Sequence, residues 1–112
     1  MNEAAAEKIA SRLAELWQTS RPTILERMEV LHSTEQALAV NPADQGARER
    51  GREAAHKLSG VLGIFGLPRG SEIASLLEEH LKSPAPLLPG DLVSLQTRIA
   101  DLDAVIASKS AQ

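Results

Sequence analysis

Every apolar run in this chain of 112 residues follows the period of a helix. From Leu92 onward, Leu95, Ile99, Leu102 and Ile106 recur at intervals of three and four residues, the spacing that lines one face of an α-helix. Ile24, Met28, Leu31 and Leu38 form a second such stripe, and Ile73, Ala74, Leu76, Leu77 and Leu81 a third. No segment alternates apolar and polar residues with period two, so the sequence predicts no strand. Trp17 and Phe65 are the only aromatic residues, which leaves the core to Leu, Ile, Val and Ala.

Prolines, glycines and capping residues divide these stripes. Asn2 suits an N-cap, with Glu3 and Glu7 in the turns that follow. Thr19-Ser20-Arg21-Pro22 reads as a break, Ser20 capping a new helix and Pro22 standing in its first turn. Asn41-Pro42 marks the next boundary, Gly66 a C-terminal stop, and SPAPLLPGD over 83–91 a proline-rich link. The pattern predicts one domain over 1–112: a short accessory helix over 3–18, packed on one end of a bundle spanning 20–108. The fold class is all-α, an antiparallel up-down four-helix bundle with an additional short N-terminal helix. Its core helices are expected over 20–40, 42–65, 70–82 and 90–108, with the tail SKSAQ frayed.

Composition removes several kinds of function. There is no cysteine, hence no disulfide, thiol chemistry or thiolate-bound zinc. The formal charge is −3, and no basic stripe is interleaved with aromatics, which argues against nucleic acid. No stretch approaches the roughly 18 apolar residues needed to span a bilayer, and the N-terminus lacks the charged start and apolar run of a signal peptide. A cytoplasmic monomer without a membrane segment is expected.

One helix breaks its own propensity. AHKLSGVLGIFG over 55–66 carries three glycines, each costing about 1 kcal/mol inside a helix relative to alanine. On a wheel advancing about 100° per residue, Leu58, Val61, Leu62 and Phe65 fall between about 140° and 240° from His56. His56 therefore points away from the core, into water. Gly60 falls at about +40°, Gly63 at about −20° and Ser59 at about −60° on the same wheel. The surface beside the imidazole is stripped of side chains, which lets the backbone of another molecule come close. Ile64, at about 80°, reads as core-edge filler or as an apolar contact for that molecule.

These residues resemble the histidine phosphotransfer domain family. Its pattern is His, any residue, a hydrophobic, often Lys, then Gly, with a second Gly ten positions after the His. Here those positions are His56, Lys57, Leu58, Ser59, Gly60 and Gly66, and EIASLLEEHL resembles the Ala- and Leu-rich helix that follows in the family. The close match covers 49–82. Ser59 departs from the pattern: where the family often has Lys, the charge is missing.

The resemblance implies a phosphorelay carrier, not an enzyme, with His56 as phosphoacceptor between receiver-domain aspartates. Arg52, Lys57, Ser59, Gly60, Gly63 and Arg69 become candidates for docking a receiver or positioning the phosphoryl group. Lys57 is also expected to pair with Glu53 on its own helix. The docking surface is expected on the His56 face of that helix and the helix before it. Partners would be response-regulator receiver domains and a hybrid or sensor histidine kinase. Mg²⁺ would come with the receiver, with no intrinsic cofactor or metal site. No Walker-type loop is present, so no autokinase activity is expected. A helical adaptor that docks partners without being phosphorylated is the alternative. Of the other histidines, His32 reads as a boundary residue and His80 as a cation near a helix C-terminus. Trp17 reads as a lid over the bundle's end.

Overall fold

The computed structural model describes residues 2–110. Four helices form, and no strand is present among the described residues: α1 (Glu3–Val40), α2 (Gln45–Ile64), α3 (Pro68–Lys82) and α4 (Pro89–Ser110). The neighbouring pairs α1–α2, α2–α3, α3–α4 and α1–α4 pack together, and the diagonal pairs do not. Cross-helix contacts such as His32 with Asp103 and Arg21 with Ser110 set α1 against α4 in opposite directions. The result is an up-down antiparallel bundle. Its core holds the stripes named above, including Ile24, Leu31, Leu58, Leu62, Leu77 and Ile99.

The break expected at 19–22 does not occur. Residues 3–18 and 20–40 form one helix, with Pro22 inside it. Pro22 removes the N–H that would bond the Gln18 carbonyl, but both residues lie on the exposed side, where water can solvate that carbonyl. Trp17 and Ile24, one on each side of the proline, are both anchored in the core and hold the helix on course. Ser20 is helical and caps nothing. The accessory segment also fails to pack: Ile9, Leu13 and Leu16 are 50%, 40% and 36% exposed. The first buried side chain along α1 is Trp17. It stacks edge-on with Phe65, ring centroids 5.3 Å apart, with the Lys109 ammonium 5.8 Å from its ring.

The other boundaries follow local chemistry. Asn2 caps α1, its Oδ1 accepting from Ala5 N–H at 2.8 Å. Asp44, rather than Pro42, opens α2, because its carboxylate accepts from Ala47 N–H at 3.0 Å. Gly66 ends α2 at φ 71°. Its N–H reaches the Gly63 carbonyl and that of Leu67 reaches Leu62, the paired bonds of a Schellman cap. Pro68 begins α3 and Pro89 begins α4. The α3–α4 link is clamped by α2: Gln45 Nε2 donates to the Pro84 carbonyl at 2.9 Å, and the buried Arg48 guanidinium donates to the Ala85 carbonyl. The tail expected to fray is helical to Ser110, and Ala111 and Gln112 lie outside the described residues.

Candidate phosphoacceptor site

His56 stands mid-way along α2 with its side chain 69% exposed. The core stripe beneath it, Ala54, Ala55, Leu58 and Leu62, is buried, which fixes the opposite face of α2 in water. A Cβ added at Gly60 would meet nothing within 4 Å, and one at Gly63 would rest only against Ser71 Oγ at 3.6 Å. Neither glycine is demanded by packing inside the bundle. Together they leave a bare shoulder one to two turns beyond the ring.

The side chain that reaches the imidazole comes from α3. Glu78 Oε2 lies 3.0 Å from His56 Nδ1, and its own side chain is only 14% exposed. The same oxygen lies 3.7 Å from the Arg52 guanidinium. Arg52 is gripped one turn back by Glu49, Nε to Oε2 at 3.0 Å and a second nitrogen to Oε1 at 2.6 Å. That hydrogen-bonded pairing holds the Glu49 carboxyl below its usual range and raises the guanidinium further. A carboxylate 3.0 Å from Nδ1 favours a proton on that nitrogen over Nε2 by simple charge attraction. Nothing in the sequence pattern marked Glu78, since only the α2–α3 register brings it under the ring.

The other candidate residues separate. Lys57 lies on the α1 side of α2 and pairs with Glu53 at 3.1 Å. Ser59 faces α3: its Oγ is 2.7 Å from Ser75 Oγ, and its carbonyl accepts from Ser71 Oγ at 2.8 Å. Its hydroxyl is thus turned toward α3, beside Ser75. Arg69 is exposed in the first turn of α3, beside the far end of α2, and the structure does not bring it to His56. Ile64 is 72% exposed, a surface residue rather than core filler. His32 and His80 face α4 instead, His32 Nε2 lying 2.7 Å from Asp103 and His80 lying between Asp91 and Arg98. Among the described residues no helix is long and apolar enough to cross a membrane.

Bundle and site together define a class: an all-helical module with an imidazole standing in water on a face bared by glycines. Comparison with known proteins identifies the family. The family described as Hpt domain matches residues 12–107. Protein RcaC of Microchaete diplosiphon is 32% identical over 90 residues, covering 80% of this chain and 14% of that protein. The chain thus spans about a seventh of that relative's length. No solved structure matches. The chain belongs to the Hpt domain family, the phosphorelay carriers of two-component signalling, which are phosphocarriers rather than typical enzymes.

Proposed function

We propose that this protein carries a phosphoryl group on Nε2 of His56, taken from the aspartyl phosphate of a receiver domain and passed to the aspartate of another. The observation that carries this reading is the exposed ring itself: a carboxylate stands at Nδ1, and Gly60 and Gly63 leave the helix surface beyond the ring bare. In the forward step the Nε2 lone pair attacks phosphorus as the P–O bond to the receiver's aspartate breaks, releasing its carboxylate. The ring, still protonated at Nδ1, becomes a phosphorylated imidazolium, and Glu78 offsets its charge. In the reverse direction the ring leaves as neutral imidazole with the Nδ1 proton in place. Glu78 thus acts as a positioning residue, and Arg52 holds Glu78 from the other side.

A loose phosphoryl transfer asks mainly for alignment and charge neutralisation. In this reading the receiver supplies Mg²⁺ along with its aspartate, and this bundle supplies the nucleophile. Gly60 and Gly63 allow the close approach. A hybrid or sensor histidine kinase feeds the relay, and the chain has no kinase activity of its own.

The test is transfer from a phosphorylated receiver to wild type and to His56→Gln. Label should move to the wild type alone, in an acid-labile, base-stable form. Incubation with ATP alone should leave both proteins unlabelled. A receiver that binds tightly without transferring label would identify the adaptor alternative instead.

A further inference from the structure

Arg52 and His56 stand one turn apart on α2, and both face the same carboxylate. Glu78 Oε2 lies 3.0 Å from His56 Nδ1 and 3.7 Å from Arg52 Nη1. The second distance is beyond hydrogen-bond reach. Charge alone would reverse this order. A guanidinium is a permanent cation with several donors, whereas a neutral imidazole has a single N–H. Glu78 is only 14% exposed, and a carboxylate so far from water draws the strongest donor near it. A free Arg52 would close on Glu78 and pull it off the ring.

Arg52 is not free. The two oxygens of Glu49 take its Nε at 3.0 Å and its Nη2 at 2.6 Å, a two-point grip from one turn back. Such a fork fixes the guanidinium plane as well as its position. Nη1 is left facing Glu78 but held short of it. The neighbouring cations are committed elsewhere: Lys57 is paired with Glu53, and Lys82 with Glu79. The imidazole is thus the nearer partner of Glu78, and the grip of Glu49 on its competitor keeps it so.

We propose that Glu49 is a positioning residue for phosphotransfer: by occupying Arg52 it leaves Glu78 to the imidazole, and so sets which ring nitrogen carries the proton. A proton kept on Nδ1 leaves Nε2 as the nucleophile, whereas a proton on Nε2 blocks it. The inference rests on His56 as the phosphoryl site. Glu49 touches neither the ring nor the transferred group, and acts only through Arg52 and Glu78.

The experiment compares wild type, Glu49→Ala and Glu49→Gln, and repeats the comparison in a Glu78→Gln background. The Glu49 side chain is 64% exposed and alanine suits a helix, so the bundle should stand in each variant; circular dichroism checks this. Nitrogen-15 NMR of the free protein at about pH 8.5, where an ordinary imidazole is neutral, reads the ratio of Nδ1- to Nε2-protonated ring. Phosphoramidate, a small donor that needs no docking surface, reads the rate at which His56 takes label. In Glu49→Ala the ratio should fall about threefold, the measure of an exposed ion pair. The labelling rate should fall with it, because the proton and the offsetting charge both leave Nδ1. Glu49→Gln keeps one acceptor oxygen for Arg52 and should lie between. In the Glu78→Gln background the change at Glu49 should alter neither readout. An unchanged ratio and rate in Glu49→Ala would overturn the proposal. So would an equal fall in both backgrounds, since Glu49 would then act on the ring without Glu78. Failure of wild-type His56 to take label from phosphoramidate or from a phosphorylated receiver would overturn the carrier reading, and this role in transfer with it, whatever the NMR ratio.

Discussion

Three glycines, two within α2 and one in the cap that ends it, serve three different ends. Gly51 lets α1 and α2 approach: a Cβ there would sit 2.7 Å from Thr34 Oγ1 and Cγ2. Thr34 cannot easily retreat, because its hydroxyl donates to the Val30 carbonyl at 2.8 Å and is buried. Gly66 supplies the left-handed conformation of the cap. Gly60 does neither and faces open space. Substitutions should separate these roles. Gly51→Ala should destabilise the fold by about 1–3 kcal/mol through overpacking, read by chemical denaturation. Gly60→Leu should leave stability equal or higher, by up to about 1 kcal/mol, while slowing transfer from a receiver at least about tenfold. Glu78→Gln tests the charge beneath the ring. It preserves size, so receiver KM should hold steady while kcat falls about tenfold. Phosphoramidate labelling should slow in parallel, because the defect lies in the ring and not in docking.

Between helices, the bundle is tied by polar contacts that single-helix patterns do not reveal. His32 links α1 to α4, with Asp103 at 2.7 Å on Nε2 and Glu35 at 3.4 Å on Nδ1. Burial alone would lower its pKa, but hydrogen bonds and charge from Asp103 and Glu35 outweigh this and raise it above 6.5. A histidine raised in the folded state stabilises fully below its unfolded value near 6.5, and that contribution fades as pH climbs through the folded value. The Tm of the wild type should therefore exceed that of His32→Gln by more at about pH 5.5 than at about pH 8.5. A gap independent of pH would contradict the linkage. Helix periodicity made the four stripes and the outward His56 legible in sequence, since both depend on one helix at a time. Glu78, the inward turn of Ser59 and the buried Arg48 were not legible, because each depends on the register between two elements. Pro22 misled for a related reason: its cost is set by which side of the helix meets water, and Trp17 and Ile24 put it on the wet side.

At the scale of the molecule, the extents of 53 × 21 × 20 Å come from α1 outrunning its partners. The family match begins at residue 12, so most of the protruding stretch lies outside it. Its residues before Trp17 contribute no buried side chain. Deleting residues 1–11 should shift Tm by no more than about 2 °C and leave phosphotransfer unchanged; calorimetry and a transfer assay would check both. The unbroken passage of α1 through Pro22 has a practical consequence. A fluorophore attached at Ala4 rides on the same helix that flanks α2, roughly 35 Å along the axis from the level of the imidazole. It would act as a stiff handle, its depolarisation reporting each encounter at the far surface through the drag on the whole rod, with no dye near enough to disturb the chemistry.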